Sequence, residues 1–320
     1  MISAVIDGNY LLHRCMRAGD LGTLRNRYGK PTGGIYGFLK SLQSVLSDNS
    51  VERCYTVFDG GVSTRRREIF PGYKGRKWRE LDDPFYEERD ETDKQFDRDF
   101  RVQQAYLKRI LRKLGVRVIQ LEGWEGDDLI YRISTLHAPE GIVYIVSDDK
   151  DFFQVPTDYT EVSIQLIRPI AGQHITEATF DLVVGYPQEE FFLRKAVNGD
   201  GSDKIPGVDG VGSGTLNKIF NEGAPVCPYP FEDFFSFCAD HRSKRVQRIS
   251  DQRNVVIRNV ELVDLEMELY SDKIAQEVQE KSEIVDAVDI NEVKSFLTDM
   301  DMFTIVKILH WWVLPFQRLR

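Results

Sequence analysis

The sequence predicts an α/β fold with a central, mostly parallel sheet flanked by helices, followed by a mainly helical region. Two observations support this prediction. Short apolar segments alternate with segments of helical spacing through the first half of the chain, and this alternation fades after about residue 175. Strands separated by helices indicate parallel pairing, because a crossover between parallel strands needs the length of a helix.

The predicted elements and domains follow from this alternation. The predicted strands are 2–6, 55–58, 116–121, 142–146 and 162–167, the last near a sheet edge. The predicted helices of the same region are 34–46, 102–114 and 127–136. We expect a first domain at 1–172 and a mainly helical second domain at 173–320, with a possible short strand at 255–262. The charged stretch 70–99 is too long for an ordinary connection, so it is interpreted as a lid or arch, or alternatively as an acidic loop.

The net charge of the 320-residue chain is -9, which taken as an average argues against a nucleic-acid ligand. The charge is nevertheless sorted into patches. Arg65–Arg79 holds seven basic residues and one acid, whereas Glu80–Asp99 holds ten acids and three basic residues. The four cysteines form no CxxC pair, and the apolar N-terminus lacks a basic leader. These features, with no apolar run of about 18 residues, predict a cytoplasmic protein that does not enter a membrane.

Acidic side chains follow four of the predicted strands. They are Asp7, Asp59, the group Glu125, Asp127 and Asp128, and the pair Asp149 and Asp151. Because the carboxyl ends of parallel strands meet at one edge of a sheet, we expect these side chains to share one crevice. Any one of them taken alone has an alternative interpretation as a turn residue or helix N-cap.

A crevice of carboxylates favours hard divalent cations, of which Mg²⁺ is the commonest. Two such ions can activate a water molecule and stabilise the leaving oxygen of a phosphodiester. The five histidines stand in no motif and no serine occupies a G-x-S-x-G turn. Serine or cysteine hydrolase chemistry is therefore disfavoured.

A glycine-rich hairpin lies at 199–214, where the sequence reads GDGSDKIPGVDGVGSG. It contains two further acids, Asp200 and Asp203, and the glycines Gly207, Gly210 and Gly212. Glycines permit close approach of the backbone to a ligand, and the following helix would offer its N–H groups to a phosphate. A nucleotide-binding loop of the Rossmann type is disfavoured by the spacing, and a plain surface loop is the alternative.

Four sequence blocks in this order resemble those of the 5′-nuclease superfamily, the flap endonucleases and 5′→3′ exonucleases, and most of all its stand-alone bacteriophage and bacterial members. The blocks are FDGGVSTRRREIFPGYKGRK, EGWEGDD, VSDDKDFFQ and NGDGSDKIPGVDGVG. The resemblance extends from Asp7 to about Leu265. It implies a PIN-like nuclease domain, a helical arch at about 70–100 and a helix–hairpin–helix clamp for duplex DNA.

The resemblance also implies roles for individual residues. Two Mg²⁺ ions, for which Mn²⁺ would substitute, would be held by Asp7, Asp59, Glu125, Asp127, Asp128, Asp149, Asp151, Asp200 and Asp203. The catalytic side chains would be Arg66, Tyr73, Lys74 and Lys77, with Tyr73 stacking on the terminal base and Lys74 facing the scissile phosphate. DNA would be bound by Arg76, Lys108, Arg112, Gly207, Gly210, Gly212 and Lys218, with a K⁺ ion as a further expectation at the hairpin.

The resulting hypothesis is a structure-specific 5′ nuclease that cuts DNA at 5′ ends and 5′ flaps during primer removal or repair. We expect a monomer in a bacterial or phage-infected cell. The apolar segment 303–320 is expected either to pack as a final helix or to dock a replication protein. Three alternatives are a PIN-type ribonuclease, a phosphatase with an aspartate nucleophile, and a non-catalytic DNA junction-binding protein.

Overall fold

The computed structural model describes residues 1–75, 90–159, 162–169, 171–226, 229–266, 272–283 and 287–320. The chain divides into two compact units. The first comprises Met1–Gly61, Trp78–Thr176 and Ser271–Arg320, and the second comprises Val62–Lys77 and Glu177–Tyr270. The units therefore differ from the two continuous domains expected from the sequence, because the last segment of the chain belongs with the first unit. The residues 76–89 of the expected arch lie outside the described residues.

Nine strands and sixteen α-helices are found in the described residues. The strands are β1 (Ile2–Asp7), β2 (Arg53–Val57), β3 (Arg117–Ile119), β4 (Ile142–Val146), β5 (Thr157–Tyr159), β6 (Val162–Arg168), β7 (Gln173–Ile175), β8 (Gly199–Asp200) and β9 (Ile205–Pro206). The helices of the first half are α1 (Gly8–Arg17), α2 (Gly33–Asp48), α3 (Thr64–Ile69), α4 (Glu91–Lys113) and α5 (Gly126–His137). Those that follow are α6 (Phe180–Val184), α7 (Phe191–Asn198), α8 (Ser213–Asn221), α9 (Glu232–Asp240), α10 (Lys244–Asp251), α11 (Arg253–Val263), α12 (Asp272–Glu283), α13 (Ile290–Asp299), α14 (Phe303–Val306), α15 (Leu309–Trp312) and α16 (Leu314–Gln317).

The first unit is built on a seven-stranded sheet in the order β3-β2-β1-β4-β6-β5, with β7 also paired to β6. Strand β1 runs parallel to both of its neighbours, β2 and β4, and β6 is parallel to β4. The predicted mostly parallel α/β fold is therefore confirmed. Strand β6 lies near an edge, as expected, and among the strands described only the short antiparallel strands β5 and β7 pair with its outer side.

Helices α2 and α4 are joined to each other by a polar contact inside an apolar core. The Oε1 atom of Gln103 in α4 accepts hydrogen bonds from the backbone N–H groups of Gly34, at 2.8 Å, and Ile35, at 3.2 Å. Gln103 thus caps the first turn of α2, whose Thr32 makes no capping bond with its own side chain. The predicted helix 102–114 begins earlier, at Glu91, where Asp90 caps it and acids favour its first turn.

The C-terminal segment completes the core of the first unit. Val293, Leu297, Ile305 and Phe316 are buried in the same apolar cluster as Ile6 of β1 and the residues of α2 and α4. The predicted single helix over 303–320 is instead the three short helices α14, α15 and α16. Its interpretation as a packed segment is confirmed for Phe316, Trp312 and Ile305, which are buried.

The second unit is mainly helical, as expected, and has a separate apolar core. Helices α7 to α11 contribute to that core, together with Val208 and Val211 of the glycine hairpin. The strand predicted at 255–262 is wrong, because these residues form helix α11. Its buried side chains, Val256, Asn259, Val260 and Val263, recur at helical spacing on one face, and this burial outweighs the strand preference of valine. None of the helices in the described part of the chain has the length and apolar character needed to cross a membrane.

The packing of α16 generates a prediction about stability. Phe316 is 0% exposed in the core of the first unit, so Phe316→Ala should lower the free energy of unfolding by about 3–5 kcal/mol. Trp311→Ala is the matched control, since this aromatic side chain is 71% exposed and its loss should change stability by less than about 0.5 kcal/mol. Urea unfolding measures both. Equal effects of the two substitutions would show that α16 does not belong to this core.

Candidate metal centre and nucleic-acid interface

Asp7 is the last residue of β1, and the local structure fixes both of its carboxylate oxygens. Oδ1 accepts a hydrogen bond from the backbone N–H of Tyr10 at 2.9 Å, so Asp7 also acts as the N-cap of α1. Oδ2 accepts a hydrogen bond from the hydroxyl of Ser147 at 3.0 Å. Because Ser147 follows β4 directly, this contact joins the carboxyl ends of two neighbouring parallel strands.

Asp59 follows the neighbouring strand β2 and is held by two partners. Its Oδ1 accepts from the backbone N–H of Gly126 at 2.7 Å, and its Oδ2 accepts from the side-chain amide of Asn9. Gly60 is required by space, because a Cβ atom there would lie 1.6 Å from the carbonyl oxygen of Leu121. A Cβ atom on Gly126 would lie 2.9 Å from Oδ1 of Asp59, a side-chain atom that can move. Two loops that follow neighbouring strands can therefore pack in direct contact.

The start of α5 supplies the third group of acids. Glu125 occupies the N-cap position, and Asp127 and Asp128 lie in the first turn. Glu125 and Asp128 are each only 2% exposed, while Asp127 is partly buried. The hydrogen bond from Gly126 to Asp59 brings this helix start beside the end of β2. The positive end of the helix dipole favours negative charge at this position.

Asp149 follows β4 and is positioned by the same hydroxyl that contacts Asp7. Its backbone N–H donates to Oγ of Ser147 at 3.1 Å, and its own Oδ1 accepts from the backbone N–H of Asp151 at 2.9 Å. Asp148, which lies between Ser147 and Asp149 in the sequence, makes different contacts. It accepts a hydrogen bond from the Tyr10 hydroxyl at 2.6 Å and another from the backbone N–H of Ala171 at 3.0 Å, so it ties helix α1 to Ala171.

The electrostatics of Asp7 show that the carboxylates crowd one another. Burial raises the pKa of Asp7 from 3.8 to about 7, and the charges of Asp59 and Asp149 add to this shift. The hydrogen bonds from Tyr10 and Ser147 act in the opposite direction but do not compensate. The acids that follow β1, β2 and β4 therefore repel one another in the first unit, and a bound cation would relieve this repulsion.

A row of polar side chains that was missed from the sequence borders these acids. Lys108 donates to Oε1 of Gln104 at 2.9 Å and of Gln120 at 2.7 Å. Gln104 in turn donates to Asn9 at 2.8 Å, and Asn9 donates to Asp59. The signal for this row is the spacing of Gln104 and Lys108 on one face of α4, together with an asparagine two residues after Asp7.

Lys108, which was predicted to contact DNA, is engaged in hydrogen bonds within the first unit, and its contact with DNA stays a prediction. It is half-buried, its ammonium group lies 4.7 Å from the ring centroid of Phe58, and its hydrogen bonds direct it along the row. Burial lowers its pKa to about 8, with the charge of Arg112 adding to this effect and that of Asp59 opposing it. Arg112, one turn further along α4, is exposed, and its predicted contact with DNA stays a prediction.

The donor set at this edge fits a hard divalent cation. All candidate ligands are carboxylate oxygens, and Asp7, Asp59 and Asp149 bear charges that repel one another where they are partly shielded from water.

The second unit holds the other two predicted ligands, Asp200 and Asp203. Asp200 forms an ion pair with Lys195 at 2.9 Å. Burial opposes its ionisation, but Lys195 and the hydrogen bond from Ser202 outweigh that cost and lower its pKa to about 2.

Asp203 takes part in a turn contact of the second unit. Its backbone carbonyl accepts from the backbone N–H of Lys74 at 2.7 Å, and its Oδ2 accepts from the Tyr73 hydroxyl at 3.3 Å. Lys74 adopts φ 55° and Gly75 φ 48°, so the chain turns sharply just after Tyr73. The metal-binding role of Asp200 and Asp203 stays a prediction.

Two predicted catalytic residues are buried in the second unit. Tyr73 is 2% exposed and packs with Ile205 and Leu262, so stacking of its ring on a terminal base is incompatible with this arrangement. Arg66, also 2% exposed, donates from Nε to the carbonyl oxygen of Leu262 at 2.8 Å. Both side chains anchor the 64–75 segment to α11. Arg76 and Lys77 lie outside the described residues.

The glycine hairpin forms one wall of a cationic cavity of about 600 Å³ in the second unit. Val208 and Val211 anchor the hairpin in the core, whereas Gly210, with φ 71°, and Gly212 line the cavity. Lys218 of α8 lies on the same wall. The hairpin is therefore anchored by its valines and exposes its backbone at the tip, as expected from its glycines.

The opposite wall of this cavity was missed from the sequence. It consists of residues between His241 and Val246, which span the start of α10, with Lys244 and Arg245 among the lining residues. The signal was available, because the sequence HRSKRV concentrates positive charge. The cavity combines these cations with the starts of α8 and α10, a combination that suits a phosphate chain.

Comparisons with known proteins agree with the fold. The family model described as "5'-3' exonuclease, N-terminal resolvase-like domain" matches residues 3–182. A 5'-3' exonuclease of Aquifex aeolicus is 26% identical over 305 residues, which are 95% of this chain and 93% of that protein. DNA polymerase I of Bacillus caldotenax is 26% identical over 308 residues, or 93% of this chain, and the match spans 32% of that polymerase.

A solved structure supports the same fold assignment. The flap endonuclease of bacteriophage T5, in a pseudo-enzyme–product complex with DNA and metal ions, matches with a TM-score of 0.69 and 22% identity. The match covers 89% of this chain and 100% of that one. The family model spans more than half of the sequence and includes the acids of β1, β2, α5 and β4. The chain therefore belongs to the 5′–3′ exonuclease family defined by this N-terminal resolvase-like domain.

Proposed function

We propose that this protein is a divalent-metal-dependent nuclease that hydrolyses phosphodiester bonds of DNA at 5′ ends and 5′ flaps. The observation that carries the proposal is the meeting of Asp7, Asp59 and Asp149 at the carboxyl edge of a parallel sheet, with the pKa of Asp7 raised to about 7 by burial and by the two neighbouring carboxylates. Family membership, the T5 flap endonuclease and the Aquifex exonuclease supply the substrate class.

The metal would be held in the first unit by Asp7, Asp59 and Asp149, with Glu125, Asp127, Asp128 and Asp151 as the further candidate ligands. When bound, Mg²⁺ or Mn²⁺ would supply a Lewis acid for the scissile phosphate and activation of the attacking water. The protein's own residues set up this site. Ser147 and Tyr10 fix the two oxygens of Asp7, and Asn9 and Gly126 fix those of Asp59, so little reorganisation of the ligands is required.

The second unit would bind the DNA backbone without reading its sequence. The cavity of about 600 Å³ presents Lys218, Lys244 and Arg245 beside the glycine hairpin, which suits phosphates more than base edges. A K⁺ ion on the hairpin carbonyls is part of the same proposal. Lys74, in its sharp turn, is proposed to stabilise negative charge on the reacting phosphate.

The function itself is tested with labelled 5′-flap, nicked, hairpin-RNA and single-stranded substrates, incubated with Mg²⁺ or with EDTA. We expect cleavage of the flap substrate near the junction in Mg²⁺ and none in EDTA. Preference for the RNA hairpin would instead indicate the ribonuclease alternative. Binding of the flap without cleavage under any metal condition would indicate the non-catalytic junction-binding alternative.

The metal site generates a prediction about catalysis. Asp149→Asn should lower cleavage in Mg²⁺ at least about 100-fold, because losing a ligand charge removes several kcal/mol of transition-state stabilisation. Asp48→Asn, at the exposed end of α2, is the control and should cleave like the wild type. Single-turnover rates measure the cleavage step, and titration calorimetry with Mn²⁺ measures metal binding. Wild-type rates for Asp149→Asn would exclude its role as a ligand.

The crowding of carboxylates generates a prediction about pH. Folded Asp7 has a pKa near 7, whereas an ordinary aspartate has a pKa of 3.8, so the folded state binds more protons between those pH values. The free energy of unfolding of the metal-free protein should therefore fall as pH rises from about 4 to about 7. Asp7→Asn should remove much of this loss and stabilise the protein in EDTA at pH 8 by on the order of 1–3 kcal/mol.

Thermal unfolding in EDTA at pH 5 and pH 8 measures this effect. The expected difference between Asp7→Asn and the wild type is large at pH 8 and small at pH 5. A uniform shift at both pH values would mean that Asp7 affects stability through packing and not through its charge.

The cationic cavity generates a prediction about binding. Lys244→Ala and Arg245→Ala should each weaken binding of a DNA duplex about 3–10-fold near 0.15 M salt. Each should also reduce the slope of log affinity against log salt concentration by about one. Arg242→Ala is the control, because this neighbouring arginine does not line the cavity. Fluorescence anisotropy in EDTA at several salt concentrations is the measurement. Equal losses of DNA affinity for all three variants would show that overall positive charge, and not the cavity, accounts for the binding.

A further inference from the structure

A second cavity, of about 540 Å³, lies on the first unit. We name it the hairpin pocket, because the short hairpin 25–31 forms one side of it. Its lining includes Tyr28 and Lys30 of that hairpin, Tyr106, Arg109 and Lys113 of α4, and Phe296 of α13. The size falls within the range of sites for small organic ligands.

The pocket uses a different face of α4 from the acidic edge. Gln104 and Lys108, spaced one turn apart, point toward Asn9 and Asp59 through the hydrogen bonds described above. Tyr106, Arg109 and Lys113 follow the i, i+3, i+7 spacing of a separate face. The two sites thus share a helix but not their side chains, and the pocket lies outside the candidate metal centre.

The hairpin is held rigidly by contacts at three positions. Oδ1 of Asn26 accepts from the backbone N–H groups of Tyr28 at 3.1 Å and Lys30 at 2.9 Å, and its Nδ2 donates to the carbonyl oxygen of Asp299 at 2.9 Å. On either side of Asn26, Arg25 pairs with Asp99 at 2.6 Å and Arg27 pairs with Asp301. The turn is therefore tied both to α4 and to the end of α13.

Tyr28 is nevertheless 71% exposed at the tip of this fixed turn. Its backbone N–H serves the turn through Asn26, but its ring contributes little to the core. An exposed aromatic ring beside a cavity is a ready surface for stacking, and here the backbone that carries the ring is already ordered before a planar ligand binds. Tyr106 and Phe296, whose ring centroids are 6.4 Å apart, extend this aromatic lining.

Positive charge borders the three rings. Lys30 donates from Nζ to the Tyr106 hydroxyl at 2.9 Å, and its ammonium group lies 5.1 Å from the centroid of that ring. Arg109 has no hydrogen-bond or ion-pair partner within the described ranges of the chain. Lys113 is paired with Glu292 at 2.9 Å, so the available cations lie at the Lys30 and Arg109 end of the pocket. Asp299 adds an exposed carboxylate that can accept from a sugar hydroxyl or an exocyclic amine.

We propose that the hairpin pocket binds one unpaired nucleotide of a DNA strand, with the base stacked on Tyr28 and its phosphate held by Arg109 and Lys30. The combination of planar rings, cations and a single carboxylate matches a nucleotide unit, which is planar, anionic and rich in donors. That the occupant is part of a DNA strand rests on the proposed function. The same chemistry is offered by a free nucleoside monophosphate, and the experiment separates the two sources.

The test is photo-crosslinking to the full-length protein in EDTA, where no cleavage occurs. One sample contains a short oligothymidylate with a single 5-iodo-deoxyuridine, and a second contains free 5-iodo-deoxyuridine monophosphate at the same nucleotide concentration. Mass spectrometry then maps the labelled residues. We expect the oligonucleotide to label Tyr28 or its neighbours Tyr106 and Phe296. Stronger labelling of these residues by the free nucleotide would overturn the assignment to a strand.

Matched variants make the test specific. Tyr28→Ala should weaken oligonucleotide binding about tenfold and abolish labelling in the pocket, whereas Tyr28→Phe should retain both, since stacking needs only the ring. Trp311→Ala is the control, because this aromatic side chain is as exposed as Tyr28 but does not line the pocket. Arg109→Ala should weaken binding about fivefold and lower its salt dependence, and Lys294→Ala, on α13 outside the lining, should do neither.

The proposal is overturned if Tyr28→Ala binds and crosslinks like the wild type, or if labels appear only outside the pocket. Its failure can be told from failure of the nuclease proposal. Asp149→Asn should crosslink at Tyr28 as the wild type does, because the metal ligands lie on another face. If the pocket is labelled but neither the wild type nor any variant cleaves DNA, the nuclease proposal is wrong and the nucleotide-binding proposal for the pocket is retained.

Discussion

The parallel pairing of β1 with both β2 and β4 is the constraint on which the candidate centre depends. In this register Asp7 lies beside Val57, and Ile6 lies beside Val146, so the residues just beyond each strand emerge together. A slip of one residue would turn Asp7 to the other face of the sheet and separate it from Ser147 and Asp59. Ala4, Val5 and Ile6 of β1 are fully buried, so β1 presents apolar side chains to both faces of the sheet.

The same alignment creates the electrostatic repulsion within the candidate centre. Asp7 is buried among like charges, while Asp200 in the second unit has its charge matched by Lys195. Both are aspartates at the end of a strand, yet their surroundings move their pKa values in opposite directions. A net charge of -9 conceals this contrast, and it also conceals the cations around the glycine hairpin. Local charge, and not the average, indicates which ligand each surface suits.

Much of this centre was predictable because it is encoded locally. An acid directly after an apolar strand can be recognised without knowing the rest of the fold, and Asp7, Asp59 and Asp149 were found that way. The burial of Tyr73 and Arg66 was not predictable, because it depends on α11, which follows far along the chain. The prediction of a strand at 255–262 was wrong for a related reason. Its valines favour strands intrinsically, but the core of the second unit selects a helical face.

The return of the chain to the first unit has a consequence for biosynthesis. The backbone N–H of Arg320 donates to the carbonyl oxygen of Glu52 at 2.8 Å, and Phe316 fills the core beside α2. A nascent chain on the ribosome therefore lacks part of this core until its α13–α16 segment has been translated and released from the exit tunnel. The sheet that aligns the acids would be stabilised fully only at that point, so the emerging polypeptide would complete its acidic edge late, after the second unit has already been made.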